Sequence, residues 1–139
     1  TNSIQLATSG GTASNLNYYE EATQSITWSG PWASSQNSTI RITRIGSIVC
    51  IFFPALTASL STSAFITSTA ILARFRPTSD RYASMQVRNN GIVAGGSAYI
   101  QSNGVMIIYG TDTTVVGPFS GAGTQVGFVA AHITYHLNG

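Results

Sequence analysis

The sequence has no lysine, and its charges are limited to six arginines and four acidic residues. Charged residues make up 7% of the 139-residue chain, whereas soluble proteins have about 25%. The net charge of +2 is therefore a small excess of arginine over acid and does not form the basic field that holds a nucleic-acid backbone. We expect no nucleic-acid partner and a surface covered by neutral polar groups or by other subunits.

Cysteine and long apolar runs are equally scarce. Cys50 is the single cysteine, which excludes an internal disulfide, and its apolar neighbours Val49 and Ile51 favour a core position over a reactive thiol. The longest apolar run, IGSIVCIFFPALTASL, is interrupted by Pro54 before it reaches the roughly 18 residues of a membrane span. A lysine-free chain also cannot contain a phosphate-binding G-K-[ST] loop. We expect no membrane insertion and no cofactor.

The pattern of the chain is that of short β-strands. Segments rich in Ile, Val, Thr and aromatic residues recur at 24–29, 38–45, 47–53, 64–72, 82–88, 92–100, 105–110 and 125–137. No window has the apolar stripe of a helix. The sequence predicts an all-β domain at 18–139, a jelly-roll-like antiparallel β-sandwich of about eight short strands, with a flattened barrel as the alternative. Residues 1–17 are polar and glycine-rich, which predicts an irregular arm or linker from a preceding shaft.

Two dipeptides predict tight turns. Asn90-Gly91 and Asn103-Gly104 are able to supply positive φ angles, so we expect a meander from about residue 82 to residue 110. The last segment alternates between an apolar face and a face that holds Phe128, His132 and His136. We expect that second face to contact a neighbouring subunit.

Catalytic and metal-binding patterns are weak. Glu20 and Glu21 are adjacent and would point to opposite sides of a strand, and no spacing predicts two convergent carboxylates involving Asp80 or Asp112. His132 and His136 would share a strand face but lie roughly 13 Å apart, too far for one metal ion unless a symmetry axis joins copies. We interpret the histidines as hydrogen-bonded or subunit-facing. We expect no enzymatic activity.

Residues 18–53 contain two short motifs, carried by Tyr19, Glu20, Glu21 and Thr23 and then by Thr43, Arg44, Ile45, Gly46 and Val49. They resemble a pattern in the C-terminal head domains of bacteriophage tail-fibre proteins, in which a Tyr-Glu-Glu-(Gly)-Thr opening and a short strand precede a strand pair of the form Tyr-Thr-(Lys/Arg)-Ile-Gly-x-x-Val. Downstream, ILARFRPTSD and SNGVMIIYG resemble a strand exit and a hairpin of the same heads. The chain departs from the family at Ala22, usually glycine, and at Ala73, often proline.

The resemblance implies a homotrimeric, jelly-roll-like head at the tip of a fibre. Similar heads cap collagen-like surface proteins of bacteria and viruses. Such a head would lie on a virion or an extracellular cell surface and would attach to a glycan or glycoprotein receptor of the host without catalysis.

Two groups of residues are candidates for ligand binding. Arg74, Arg76, Arg81 and Arg88 lie within residues 71–91 and would form an anion patch for sulfated or carboxylated glycans if they converge. The alternative is that they bond to carbonyl groups and to Asp80 at a subunit interface.

The two tryptophans and Arg44 each have a functional and a structural interpretation. Trp28 and Trp32 would stack on sugars if exposed, or pin their loop to the core. Arg44 is a candidate for a structural ion pair with Glu20 or Glu21, within the chain or across a subunit boundary.

Overall fold

The computed structural model describes residues 4–6, 14–16, 18–111 and 117–138, with side chains from residue 18 onward. In these parts of the chain it has twelve strands and a 3-10 helix at Ala73–Phe75. The strands are β1 (Ile4–Leu6), β2 (Ser14–Leu16), β3 (Tyr19–Ser29), β4 (Gln36–Ile45), β5 (Ile48–Phe53), β6 (Leu56–Ser59), β7 (Ile66–Ser68), β8 (Arg81–Asn89), β9 (Ile92–Ile100), β10 (Met106–Tyr109), β11 (Gln125–Phe128) and β12 (Ala131–His136). The predicted all-β class is confirmed. Asp112 lies outside the described residues.

Ten strands form one curled antiparallel sheet. Their order is β12-β5-β4-β3-β7-β10-β9-β8-β11-β6, while β1 and β2 pair separately. The first four strands of this order form one half of the sheet and β7-β10-β9-β8 form the other, and the inner faces of both halves contribute to one hydrophobic core. The arrangement agrees with the predicted jelly-roll-like sandwich.

Hydrogen bonds join the β12 end of the curled sheet to the segment between β7 and β8. The backbone N–H and the hydroxyl of Thr78 both donate to the carbonyl of Leu137, at 2.8 and 2.9 Å. The phenol of Tyr135 on β12 donates to the carbonyl of Phe75 at 2.6 Å. These bonds satisfy polar groups that lie beyond the ladder of β12 and β5, so the last strand is fixed on both sides.

Within the N-terminal arm, β1 and β2 are two antiparallel strands, in the register Ile4↔Leu16 to Leu6↔Ser14. The arm is therefore not irregular throughout. Its role as a linker to a shaft stays a prediction.

The predicted meander is confirmed, but its two turns differ. Asn90 and Gly91 have φ angles of 49° and 77°, which is the turn that the Asn-Gly dipeptide favours. In the second hairpin Gly104 has a φ of 91°, while the Asn103 carboxamide accepts the N–H of Val105 at 2.9 Å. The connection from β9 to β10 is thus a longer loop whose polar side chain satisfies its own backbone.

Two of the predicted strands are shorter in the structure than the sequence pattern indicated. The segment 64–72 is a strand only at Ile66–Ser68, because the carboxamide of Gln24 donates to the carbonyl of Ala70 and accepts the N–H of Leu72, both at 3.0 Å. A side chain there replaces the ladder of a neighbouring strand. Arg74 consequently lies in the 3-10 helix and Arg76 follows it, so the two arginines do not share the face of a strand.

The segment 125–137 is divided into β11 and β12 rather than forming a single strand. Gly127 has a φ of 150°, and a Cβ atom there would come within 1.9 Å of the carbonyl oxygen of Leu56. Because the chain changes partners between the two strands, Phe128 is buried in the core, whereas His132 and His136 are exposed. The prediction that Phe128 shares the face of the histidines was therefore wrong.

Candidate functional site

The arginines of residues 71–91 do not converge on one patch. Arg76, Arg81 and Arg88 each donate to a backbone carbonyl, those of Ile71 (2.8 Å), His136 (3.2 Å) and Gly91 (2.9 Å), respectively. Each guanidinium is directed to a different segment of the chain. The interpretation that these arginines bond to carbonyl groups agrees with this geometry, and whether any of them contacts a ligand stays a prediction.

Arg74 belongs to a cluster at the start of β3. Its Nε atom donates to Glu20 Oε1 at 2.5 Å, and the phenol of Tyr18 donates to Glu20 Oε2 at 2.5 Å. The hydrogen bond from Tyr18, with a further contribution from Arg74, lowers the pKa of Glu20 below its usual range. The carboxylate is therefore held in its charged form by two donors.

Arg44 joins this cluster without forming the predicted ion pair. It lies directly opposite Glu20 in the register of β3 and β4, but its Nη1 atom donates to the carbonyl of Arg74 at 2.8 Å. Its guanidinium also covers the ring of Tyr18 at 4.0 Å from the centroid. The expected pairing is corrected accordingly: the ion partner of Glu20 is Arg74, and Arg44 supports the backbone that carries it.

Glu21 lies on the opposite face of β3, where it accepts a hydrogen bond from the phenol of Tyr19. Arg44 is not its partner. Successive residues of a strand point to opposite faces, so the two adjacent glutamates serve different surfaces. Glu20 and Glu21 therefore do not converge as a carboxylate pair, in agreement with the interpretation of their adjacent positions in the sequence.

Both tryptophans are buried, which corrects the sugar-stacking interpretation. Trp28 is 0% and Trp32 is 7% exposed. The indole of Trp28 packs against Phe53 and Phe128, with ring centroids 6.0 and 5.0 Å apart, and the indole N–H of Trp32 donates to the carbonyl of Val126 at 3.1 Å. The two side chains pin their loop to the core, as the alternative interpretation held.

An exposed aromatic group occurs instead on the outer face of the second half of the sheet. Tyr82 on β8 is 65% exposed and lies opposite Tyr99 on β9. The two rings stack with centroids 4.5 Å apart at 22°. Because one face of the Tyr82 ring is taken by Tyr99 and the side chain is still largely exposed, its other face is open to solvent.

A carboxylate is fixed beside this stack. Asp80 accepts a hydrogen bond from the phenol of Tyr99 and another from the backbone N–H of Ser102 at 2.8 Å. The bond from Tyr99 is the main reason that the pKa of Asp80 is lowered, and the same bond raises the pKa of Tyr99. Asp80 is thus an ionised, exposed acceptor in a fixed position. We call Asp80, Tyr82 and Tyr99 the aromatic platform.

The outer face of the first half of the sheet has a different character. Four large apolar side chains there are between 41% and 58% exposed: Tyr19, Ile45, Ile48 and Phe52. A hollow of about 290 Å³ lies beside them, lined by Glu21, Arg41, Thr43 and Phe52. We call these exposed residues of β3, β4 and β5, together with the outward side chains of β12, the hydrophobic face.

The histidines are outward side chains at the β12 edge of the hydrophobic face. His132 contacts the ring of Phe52, with centroids 5.8 Å apart, and His136 lies opposite Ile48 in the ladder. In the part of the chain that the structure describes, no three His, Cys, Asp or Glu residues are grouped so as to hold a metal ion. No helix among the described residues is long and apolar enough to cross a membrane.

The aromatic platform and the hydrophobic face were both missed by the sequence reasoning. The alternation in YASMQVR and the Asn90-Gly91 turn fix which residues of β8 and β9 are opposite and would have paired Tyr82 with Tyr99. Arg41 was not among the candidate residues. Which face of β4 stays exposed depends on the curl of the whole sheet.

Comparisons with known proteins provide a fold likeness and no family. No protein-family model and no curated protein matches the chain. Among solved structures, the chain is similar to the T1L reovirus attachment protein sigma1, whose crystal structure is in complex with alpha-2,3-sialyllactose. The identity is 14%, the match covers 90% of this chain and 70% of that one, and the TM-score is 0.49. A likeness at this level carries no inference about a ligand or a partner.

Proposed function

We propose that the chain is a non-enzymatic attachment head at the tip of a fibre or collagen-like stalk, displayed on a virion or cell surface, and that it binds host-surface glycans. The observation that carries this proposal is the aromatic platform. The motif resemblance of residues 18–53 to fibre heads and the nearly uncharged surface, with 7% charged residues, support the same function.

The platform has the chemistry that a saccharide requires. The open face of Tyr82 offers an apolar plane to the C–H groups of a sugar ring, while a phenol keeps its polar edge in water. Asp80, ionised and fixed by Tyr99 and Ser102, has further lone pairs that accept hydrogen bonds from sugar hydroxyls. A stacking plane beside one oriented acceptor is the combination of apolar and convergent polar groups found in ligand sites.

This chemistry favours a sugar with free hydroxyls at the platform. A sulfated or carboxylated glycan would be repelled by Asp80 and would bind elsewhere, at an arginine. Arg74 is the candidate for that second class, since its side chain is 47% exposed and a guanidinium can engage an anion with paired hydrogen bonds. Neutral glycan at the platform is the first proposal, and anionic glycan at Arg74 is the alternative.

The acidic residues also favour a binding role over hydrolysis. A paired-carboxylate hydrolase needs one acid with a raised pKa in an apolar pocket. Glu20 and Asp80 both have lowered pKa values and share no hydrogen-bond partner, and Glu21 faces away from Glu20. We therefore propose no catalytic step for this chain.

A glycan array with neutral, sulfated and carboxylated saccharides tests the proposal. The variants are Tyr82→Ala and Asp80→Asn, with Ser84→Ala as a matched control on the same exposed face of β8. We expect each platform variant to weaken binding of the neutral saccharide at least about tenfold, the range of one lost stacking or charged hydrogen-bond contact, and Ser84→Ala to have no effect.

The control outcomes separate the alternatives. Arg74→Ala should leave neutral-glycan binding unchanged, and a loss of sulfated-glycan binding in this variant would move the site to the arginine. If the wild-type chain binds no glycan, or if Tyr82→Ala binds as the wild type does, the platform is not the receptor site.

A second candidate function is a structural module that assembles a fibre and has no ligand of its own. The hydrophobic face favours it, because large exposed apolar patches are typical of protein contacts. Deletion of the domain would then abolish shaft assembly. Proteolytic removal of the domain from particles that have already assembled would leave their attachment to the host unchanged.

A further inference from the structure

The exposed side chains of the hydrophobic face lie in cross-strand rows, and the apolar residues are concentrated in one of them. Tyr19, Ile45, Ile48 and His136 follow one another in the register of β3, β4, β5 and β12. Four residues further along the strands, Arg41, Phe52 and His132 form a parallel row, and Thr43, Cys50 and Thr134 lie between the two rows. Exposed apolar side chains that occur singly need no explanation, but a contiguous set on a sheet face is typical of a contact with another protein.

Two opposite charges are exposed on the same face without an ion partner. Among the residues that the structure describes, the one ion pair joins Arg74 to Glu20. Arg41 is exposed, and Glu21 accepts only the phenol of Tyr19. Every other arginine of the chain donates to a backbone carbonyl or a carboxylate. Arg41 is therefore the arginine whose guanidinium remains available to a partner.

The balance of charge favours a copy of the same chain as that partner. A nucleic acid or an anionic lipid surface selects several cations, whereas this face has one cation and one anion beside an apolar row. A surface with one charge of each sign is complementary to itself, since the cation of one copy can face the anion of another. The hollow between Arg41, Glu21, Thr43 and Phe52 gives the side chain of a second copy a place to enter.

We propose that the hydrophobic face is the self-association surface of this chain, with Arg41 of one copy paired with Glu21 of the next and the apolar row removed from water. The proposal goes beyond glycan binding and does not depend on the platform. It assigns the predicted homotrimer a defined subunit surface. A measurement of mass can refute this surface without bearing on glycan binding, and a glycan array can refute glycan binding without bearing on this surface.

Sedimentation equilibrium of the full chain with a charge-exchange series tests the proposal. We expect the wild type to be oligomeric, and Arg41→Glu or Glu21→Arg to raise the concentration of half-dissociation at least about tenfold, because each places like charges together across the contact. The double variant Glu21→Arg/Arg41→Glu restores opposite charges and should recover most of the association. Gln86→Glu, which adds a charge to the outer face of β8, is the matched control and should not change the mass.

The single cysteine provides a second readout in the unaltered protein. Cys50 is half-buried on the same outer face, between Thr43 and Thr134 in the ladder, so the expected core position of this cysteine was wrong. We expect its reaction with a thiol reagent to slow as protein concentration rises through the association range. A wild type that is monomeric at all concentrations overturns the proposal. So does an oligomer that neither single charge variant weakens and in which Cys50 stays equally reactive.

Discussion

The buried phenol of Tyr135 provides a test of how the last strand is fixed in the curled sheet. Tyr135 is 5% exposed and its hydroxyl donates to the carbonyl of Phe75 at 2.6 Å. Tyr135→Phe removes the hydroxyl and keeps the ring, so the packing of the core is preserved. The carbonyl of Phe75 then lies beneath β12 without its donor.

The loss should be measurable in thermal unfolding. A buried acceptor left without its hydrogen bond costs about 1–3 kcal/mol, and we expect about 2 kcal/mol. At about 2 cal/mol/K of unfolding entropy per residue, a chain of this length unfolds with about 0.3 kcal/mol/K, so the melting temperature should fall by about 7 °C. Tyr82→Phe is the matched control, because Tyr82 is 65% exposed, and it should melt with the wild type.

The pH dependence provides a second measurement on the same variant. Burial raises the pKa of Tyr135 above that of a free phenol. The folded protein therefore keeps the proton while the unfolded chain loses it, and stability that is fully present below about pH 10 declines as the pH rises above it. At pH 11 this costs the wild type about 1.4 kcal/mol, a loss that the phenylalanine variant lacks.

The stability difference between wild type and Tyr135→Phe should accordingly shrink from pH 8 to pH 11. Chemical denaturation at a fixed protein concentration measures it at both values. A variant that melts within 1–2 °C of the wild type, about the shift expected for an exposed hydroxyl, would refute the reasoning, as would a difference that does not vary with pH.

Three further predictions concern other parts of the fold. Gly127→Ala should prevent stable folding or lower the melting temperature by more than about 10 °C, since its Cβ would meet the backbone of Leu56. Gly123→Ala is the control, because there is open space around Gly123. It should lower the free energy of unfolding by only about 1–2 kcal/mol, the cost of a left-handed backbone for alanine. Asn89→Ala should lose about 2 kcal/mol in denaturant titration, because its carboxamide bridges the carbonyl of Gly110 and the N–H of Ser120; an unchanged midpoint would contradict this. Because the pKa of Glu20 is lowered, its contribution is present above its ordinary pKa and is lost as the pH falls through the folded value. Arg74→Met should therefore destabilise the protein at pH 7 and progressively less below about pH 4, and a constant difference would contradict the pairing.

The sequence by itself determined the class of fold and much of its local structure. Alternation and β-branched residues locate most of the strands because these signals depend on neighbours within a few residues. The Asn90-Gly91 turn joins β8 to β9 as predicted, since its positive φ angles are a property of that dipeptide. The extent of the segments 64–72 and 125–137 was not predictable in this way, because the side chain of Gln24 and the carbonyl of Leu56 come from distant parts of the chain.

The tertiary structure decided which side chains can meet a ligand or a partner. Arg74 and Glu20 are 54 residues apart in sequence, and the curl of the sheet brings them together while it directs Arg76, Arg81 and Arg88 to separate carbonyl groups. The same curl buries Trp28 and leaves Tyr82 and Arg41 exposed. Residue type sets what a side chain is able to bind, but exposure depends on long-range packing, and so the aromatic platform and the hydrophobic face became visible only in the folded chain.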